Sequence, residues 1–172
     1  MSDLTEIPSD SVELRGAFAH FPSGVVAVCA ETDGAPAGLV VSTFVPVSLD
    51  PPLVSFCVQN SSTTWPRLLG ARHLGLSLLG AHQDVAARNM SSRHGDRFRD
   101  LELRSGEGGA IFVDGAVAWL EGAVHTQVAA GDHQVVLVRI SRLATRSQHE
   151  PLVFHGSRFR RLYPHPASAE VA

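Results

Sequence analysis

Residues 38–65 read GLVVSTFVPVSLDPPLVSFCVQNSSTTW. Two apolar runs, residues 38–47 and 53–58, flank the punctuation Ser-Leu-Asp-Pro-Pro. Each run is rich in Val, Phe and small residues and too short for a comfortable helix, so both read as buried strands. Asp50-Pro51-Pro52 is an extended turn, because a residue before proline is pushed out of the helical region. Six polar residues follow the second strand: Gln59, Asn60, Ser61, Ser62, Thr63 and Thr64. They stand where a strand gives way to a predicted helix. Hydroxyls and unpaired backbone N–H groups at a helix start form an anion site, and phosphate is the candidate anion. The plainer reading is that Ser61 or Ser62 only caps the helix.

Outward from this stretch, the pattern is one of hairpins. Residues 11–20 (SVELRGAFAH) have helical spacing, and Ser11 is a candidate cap for a short amphipathic helix. Residues 25–30 form a strand, Asp33-Gly34 marks a hairpin turn, and the next strand is expected to run unbroken over 37–47. Pro46 falls inside it and removes a ladder donor, which predicts a bulge or a sheet edge there. A helix is expected over 62–71, with Pro66 confined to its first turn. Residues 73–79 alternate as a strand, 81–89 form a short helix, and the charged segment 91–103 reads as a surface loop or lid. Strands follow at 110–113, 116–129, 133–146 and 152–155, with turns at Asp114-Gly115 and Gly131-Asp132. Phe159 and Leu162 are expected to dock at the edge. The expected organisation is a tail over 1–10, one domain over 11–163 and a second tail over 164–172. Seven or so hairpin-linked strands with short connecting helices predict a mainly β, antiparallel barrel, not a βαβ sheet.

The chain of 172 residues can bury one proper core. Its formal net charge is −3 with no basic block, which argues against nucleic acid as a partner. No apolar run approaches the roughly 20 residues of a membrane helix. The acidic start MSDLTEIPSD is not a signal peptide, so a cytoplasmic location is expected. Cys29 and Cys57 lie in apolar runs and read as small buried hydrophobes. The nine histidines are scattered without metal-site spacing, so no metal is expected. There is no GxGxxG between strand and helix, no GxSxG elbow and no phosphate-loop GK[ST]. Gly106-Glu107-Gly108-Gly109 reads as a loop.

A set of separate pieces, in order, resembles the flavin reductase family, the FMN-binding split-barrel reductases that supply reduced flavin to two-component monooxygenases. They are FAHFPSGVVAVCA (18–30), the stretch 38–65, HLGLSLLGAHQDVAARN (73–89), GDRF (95–98), GAVAWLEG (115–122), GDHQVVLVRI (131–140) and PLVFHGSRFRRL (151–162). The resemblance covers about residues 13–162. Departures from the family pattern are Asn89-Met90 where an aromatic residue is usual, Leu74-Gly75 in place of Phe-x-Val, and Pro46.

The resemblance implies a mainly β, antiparallel Greek-key split β-barrel with a few short connecting helices, and an NAD(P)H:flavin oxidoreductase using FMN or FAD with NADH or NADPH. It implies that Val41, Ser42 and Thr43 line the isoalloxazine through backbone groups, with Ser48 in the same wall. Val58, Gln59 and Asn60 would follow the ring edge and ribityl chain, and Ser61, Ser62 and Thr63 would hold the phosphate. His133 would stand where the nicotinamide enters; alternatively it only orders its turn. A phosphate held by neutral groups with few arginines would suit a flavin that leaves after reduction. Arg97, Arg99 and Arg104 could bias the choice of nicotinamide. The family's usual assembly is a homodimer with the flavin near the interface, which passes reduced flavin to a separate monooxygenase. Two alternatives keep the fold: a tightly bound flavin acting directly on a small organic substrate, and a flavin or haem carrier without turnover.

Overall fold

The computed structural model describes residues 6–92, 95–146 and 149–163. The ends of both expected tails, 1–5 and 164–172, lie outside the described residues, as do two residues of the expected lid segment. Helix α1 (Ser11–Phe18) is followed by strands β1 (Ser23–Gly24), β2 (Val26–Thr32), β3 (Ala35–Val41), β4 (Val45–Leu49) and β5 (Pro52–Gln59). Helix α2 (Trp65–Leu68), strand β6 (Leu74–Leu78) and helix α3 (Asp84–Ser91) come next. The rest is all strand and turn: β7 (Leu103–Ser105), β8 (Ile111–Val113), β9 (Ala118–Ala130), β10 (His133–Thr145), β11 (Val153–His155) and β12 (Arg158–Arg160).

Seven strands form one antiparallel sheet in the order β3-β2-β6-β9-β10-β5-β4, curled into a split barrel. Strands β1, β11 and β12 make a small second sheet, and β7 pairs with β8. β2 shows why its sequence is a continuous apolar run. Val26, Val28 and Ala30 enter the barrel core with Phe56, Leu76, Val136 and Val138. Ala27 and Cys29 face the other way, into a second cluster with Leu79, Ala87, Met90, Ile111 and Leu152. A strand buried on both faces has no polar side to alternate with. β6 and β8 meet so closely that a Cβ on Gly75 would lie 2.1 Å from the Ile111 carbonyl oxygen. The departure at Gly75 is therefore a packing requirement.

The structure corrects four local expectations. The strand expected over 37–47 is two strands, β3 and β4, parted at Ser42–Phe44. Pro46 is accommodated in both anticipated ways. β4 is an edge strand, and its register with β5 slips between Pro46 and Ser48. The helix expected over 62–71 is a single α-turn, Trp65–Leu68, prolonged to Ala71 only by tighter turns from Gly70 N–H to Arg67 O and Ala71 N–H to Leu68 O. Gly70 explains part of this, since glycine is a weak helix former. Helix α1 is capped by Asp10, whose carboxylate accepts from Val12 N–H, and not by Ser11. None of its residues is buried. Phe159 docks on Phe154 and under the Arg88 guanidinium, whereas Leu162 stays exposed. No helix among the described residues is long and apolar enough to cross a membrane.

Candidate functional site

Past Ser55, β5 loses its neighbour on the β4 side, because β4 begins only at Val45. Cys57 still has a backbone N–H and C=O to satisfy on that side. The Thr43 hydroxyl does both: it accepts from Cys57 N–H at 2.8 Å and donates to Cys57 O at 3.4 Å. One side-chain oxygen thus stands in for a ladder pair, and the backbone of Ser42 and Thr43 is not drawn into the sheet. The walls of the barrel part here, and a cleft opens between the end of β3 and the end of β5.

The cleft has two adjoining lobes that share Leu39, Val40, Gln59 and Ser62. The inner lobe, about 320 Å³, is lined by Val41, Ser42, Thr43, Cys57, Val58 and His133 in addition. The outer lobe, about 440 Å³, adds Ser61, Thr63, Thr64, Met90, Ser91 and Arg97. Eight of the expected cofactor-binding positions thus meet in one continuous space: Val41, Ser42, Thr43, Val58, Gln59, Ser61, Ser62 and Thr63. Val58 lines it although its side chain is buried in the core.

Two expected positions stand elsewhere. Ser48 lies on β4 opposite Leu53, beyond the register slip, and does not line the cleft. Asn60 is committed to the β9–β10 turn. Its N–H donates to Asp132 O at 2.9 Å, its amide nitrogen donates to Gly131 O at 3.2 Å, and its Oδ1 accepts from Gln134 Nε2 at 3.0 Å.

His133 opens β10 directly opposite Gln59. Its Nδ1 donates to Asp132 Oδ1 at 2.7 Å. That hydrogen bond, with the imidazole's charge second, holds the Asp132 carboxyl below the usual carboxylate range. A depressed carboxyl pKa means the contact is fully formed above the ordinary aspartate range and is lost as pH falls through the folded value. The contact leaves Nε2 as the ring nitrogen available to a ligand.

Several lining features were not placed in this cleft from the sequence, Leu39 and Val40 among them. Cys57 is half-buried in the inner lobe and is no core hydrophobe; Cys29 is one, and burial pushes its thiol up to about 12. Met90 and Ser91 extend the outer lobe. Arg97 brings a guanidinium into a site expected to be neutral: its Nη1 donates to Thr64 Oγ1 at 2.8 Å and to Gly38 O at 3.3 Å. Of the other two arginines considered, Arg99 pairs with Asp100 and Arg104 with Asp114, neither in this cleft. A separate cavity of about 410 Å³ around Trp119 also holds charges, but its Arg142 is paired with Glu107 at 2.6 Å and its buried Glu121 accepts from Glu107 N–H.

The cleft therefore combines an apolar, backbone-rich inner end beside a histidine with a hydroxyl-rich outer end beside an arginine. A planar ring carrying a phosphorylated chain fits that polarity. A family model described as flavin reductase like domain matches residues 18–163. The chain is 34% identical over 155 residues to a flavin reductase of Pseudomonas putida, covering 90% of this chain and 91% of that one. The structure of the Streptomyces globisporus NADH:FAD oxidoreductase SgcE6 with NAD and FAD fragments superposes with a TM-score of 0.87 at 36% identity, covering 95% of this chain and 98% of the other. The flavin reductase of styrene monooxygenase from Pseudomonas putida S12 gives 0.79 at 32% identity, covering 89% and 98%.

The Thr43–Cys57 contact is directly testable. Thr43→Val keeps the shape and removes the hydroxyl. It is expected to cost about 1–2 kcal/mol, the usual penalty for stranding a backbone donor, read as a lower denaturant midpoint. Thr43→Ser is expected to restore most of it. A Thr43→Val protein as stable as wild type would show that the hydroxyl does not hold the parted strands.

Proposed function

The chain belongs to the flavin reductase family, and from that premise we infer that it is an NAD(P)H:flavin oxidoreductase, one that reduces FMN or FAD and supplies reduced flavin to a separate monooxygenase. The observation that carries this reading is the continuous cleft from His133 to the Ser61–Thr64 hydroxyls, in a chain aligned with flavin reductases along about nine-tenths of its length. Hydride transfer is chemistry that flavin and nicotinamide supply when bound. The protein binds, orients and excludes water. The backbone of Val41, Ser42 and Thr43 walls one side of the ring, and Val58 and Gln59 wall the other. Ser61, Ser62 and Thr63 belong to the phosphate end. His133, held by Asp132, orients the nicotinamide at the inner end. No side-chain nucleophile is required.

Homodimer formation is part of the same proposal. The edge strand β4 exposes Val45, Val47 and Leu49, the last at 95%, and helix α1 buries none of its residues. An unpaired strand edge with an apolar face and a helix without packing are surfaces for a second copy. The two free thiols suit a reducing, cytoplasmic setting.

Consumption of NADH or NADPH by purified protein is expected to saturate with added FMN or FAD. A protein that keeps one flavin bound through gel filtration and shows no dependence on added flavin would contradict a diffusible product. His133→Ala is expected to lower kcat/KM for the nicotinamide about tenfold or more while leaving flavin affinity within twofold. Equal losses for both would make His133 a turn residue only. In light scattering, wild type is expected at twice the chain mass and Val47→Arg at the mass of one chain; a monomeric wild type would sink the dimer.

A further inference from the structure

The amides of Asn60 and Gln134 stand behind the cleft, not in it. Residues two apart in a strand share a face. On β5 the buried row is Val54, Phe56 and Val58, and Asn60 falls next in it. On β10 Val136 and Val138 are buried, and Gln134 belongs to the same row, opposite Val58. His133, opposite Gln59, belongs to the other face, the one that lines the cleft. The two amides therefore meet at the rim of the sheet, Gln134 Nε2 donating to Asn60 Oδ1 at 3.0 Å.

What Asn60 holds is the turn in front of His133. β9 and β10 are joined by two residues only, Gly131, with a φ of 64°, and Asp132. This turn overhangs the end of β5, whose last ladder pair is Gln59 with His133. Past that point Asn60 supports it: its N–H donates to Asp132 O at 2.9 Å and its Nδ2 to Gly131 O at 3.2 Å. Burial cannot fix the turn, since residues 125–132 are all exposed. Asp132 fixes the His133 ring through Nδ1 at 2.7 Å, yet its own side chain is 85% exposed and has no other side-chain hydrogen bond among the described residues. The aim of the imidazole thus depends on where the Gly131–Asp132 backbone sits, and the Asn60 amide, braced by Gln134, sets that backbone.

Resting on the flavin reductase reading above, we propose that Asn60 and Gln134 are positioning residues for hydride transfer, which act on the nicotinamide only through His133 and touch neither ring themselves.

The test compares Asn60→Ala, which keeps the main-chain bond to Asp132 and removes both amide bonds, with Gln134→Leu, each alone and combined with His133→Ala, in purified full-length protein. At saturating FMN, Asn60→Ala is expected to lower kcat/KM for the nicotinamide about tenfold and Gln134→Leu about threefold, while FMN affinity, followed by flavin fluorescence, stays within about twofold. In the His133→Ala background the same two changes should cost no more than about twofold, because residues that act through one another are not additive. Without flavin, amide hydrogen exchange of the segment 128–135 should be at least about threefold faster in Asn60→Ala than in wild type. If Asn60→Ala does not fold, Gln134→Leu carries the same comparisons. Full losses that persist in the His133→Ala background would overturn the proposal. So would an FMN affinity that falls in step with kcat/KM, which would return Asn60 to the flavin, or an exchange rate equal to that of wild type. Each of those outcomes leaves a working reductase. A wild-type protein that oxidises neither NADH nor NADPH with any added flavin refutes the reductase reading, and this inference with it.

Discussion

β5 has a full partner on one side and half a partner on the other. β10 pairs with it from Leu53 to Gln59, while β4 reaches only as far as Ser55. An unpaired backbone donor in a strand is costly unless something replaces its partner. Thr43 is that replacement, and the geometry of the cleft follows from it. Had residues 37–47 continued as one strand, the backbone of Ser42 and Thr43 would have been consumed in sheet hydrogen bonds. The edge strand, the slip after Pro46 and the cleft are three consequences of the same parting. A single hydroxyl serving one N–H and one C=O is weaker than a ladder, and that is compatible with a cleft whose ligand must enter and leave.

Much of this was legible in the chain. The hairpin turns, the edge character of Pro46 and the hydroxyl cluster rest on local rules, and eight of the ten positions that the resemblance implied for flavin line one cleft. What was not legible depended on distant contacts. Nothing near Thr43 says that its hydroxyl will meet Cys57 fourteen residues later. The break in the strand was therefore invisible, and so was the half-exposure of Cys57. Arg97 sits in GDRF, a piece that was noted, but its partner Thr64 is thirty-three residues away. The shortness of α2 was hidden because Pro66 correctly marks a start and says little about length. Ser48, which the resemblance set in the same wall, lies on β4 beyond the register slip and does not line the cleft.

Asn60, which the resemblance set along the ribityl chain, spends its N–H and side-chain amide on the protein in this structure. It lies between the last cleft-lining residue of β5 and the hydroxyl loop, and through three hydrogen bonds it is tied to the turn that presents His133. The His133 corner and the hydroxyl loop are thus not independent. Hydride transfer demands that two rings be held at a fixed separation, and errors of about 1 Å are expensive. A flexible loop between the two subsites would let them drift. By bonding to Gly131 O, Asp132 O and Gln134 together, Asn60 makes the β9–β10 turn and the start of the hydroxyl loop one rigid corner. The position of His133 is then set by the same residue that leads into the Ser61–Thr64 hydroxyls, so the two ends of the cleft are held at one spacing by hydrogen bonds within the protein.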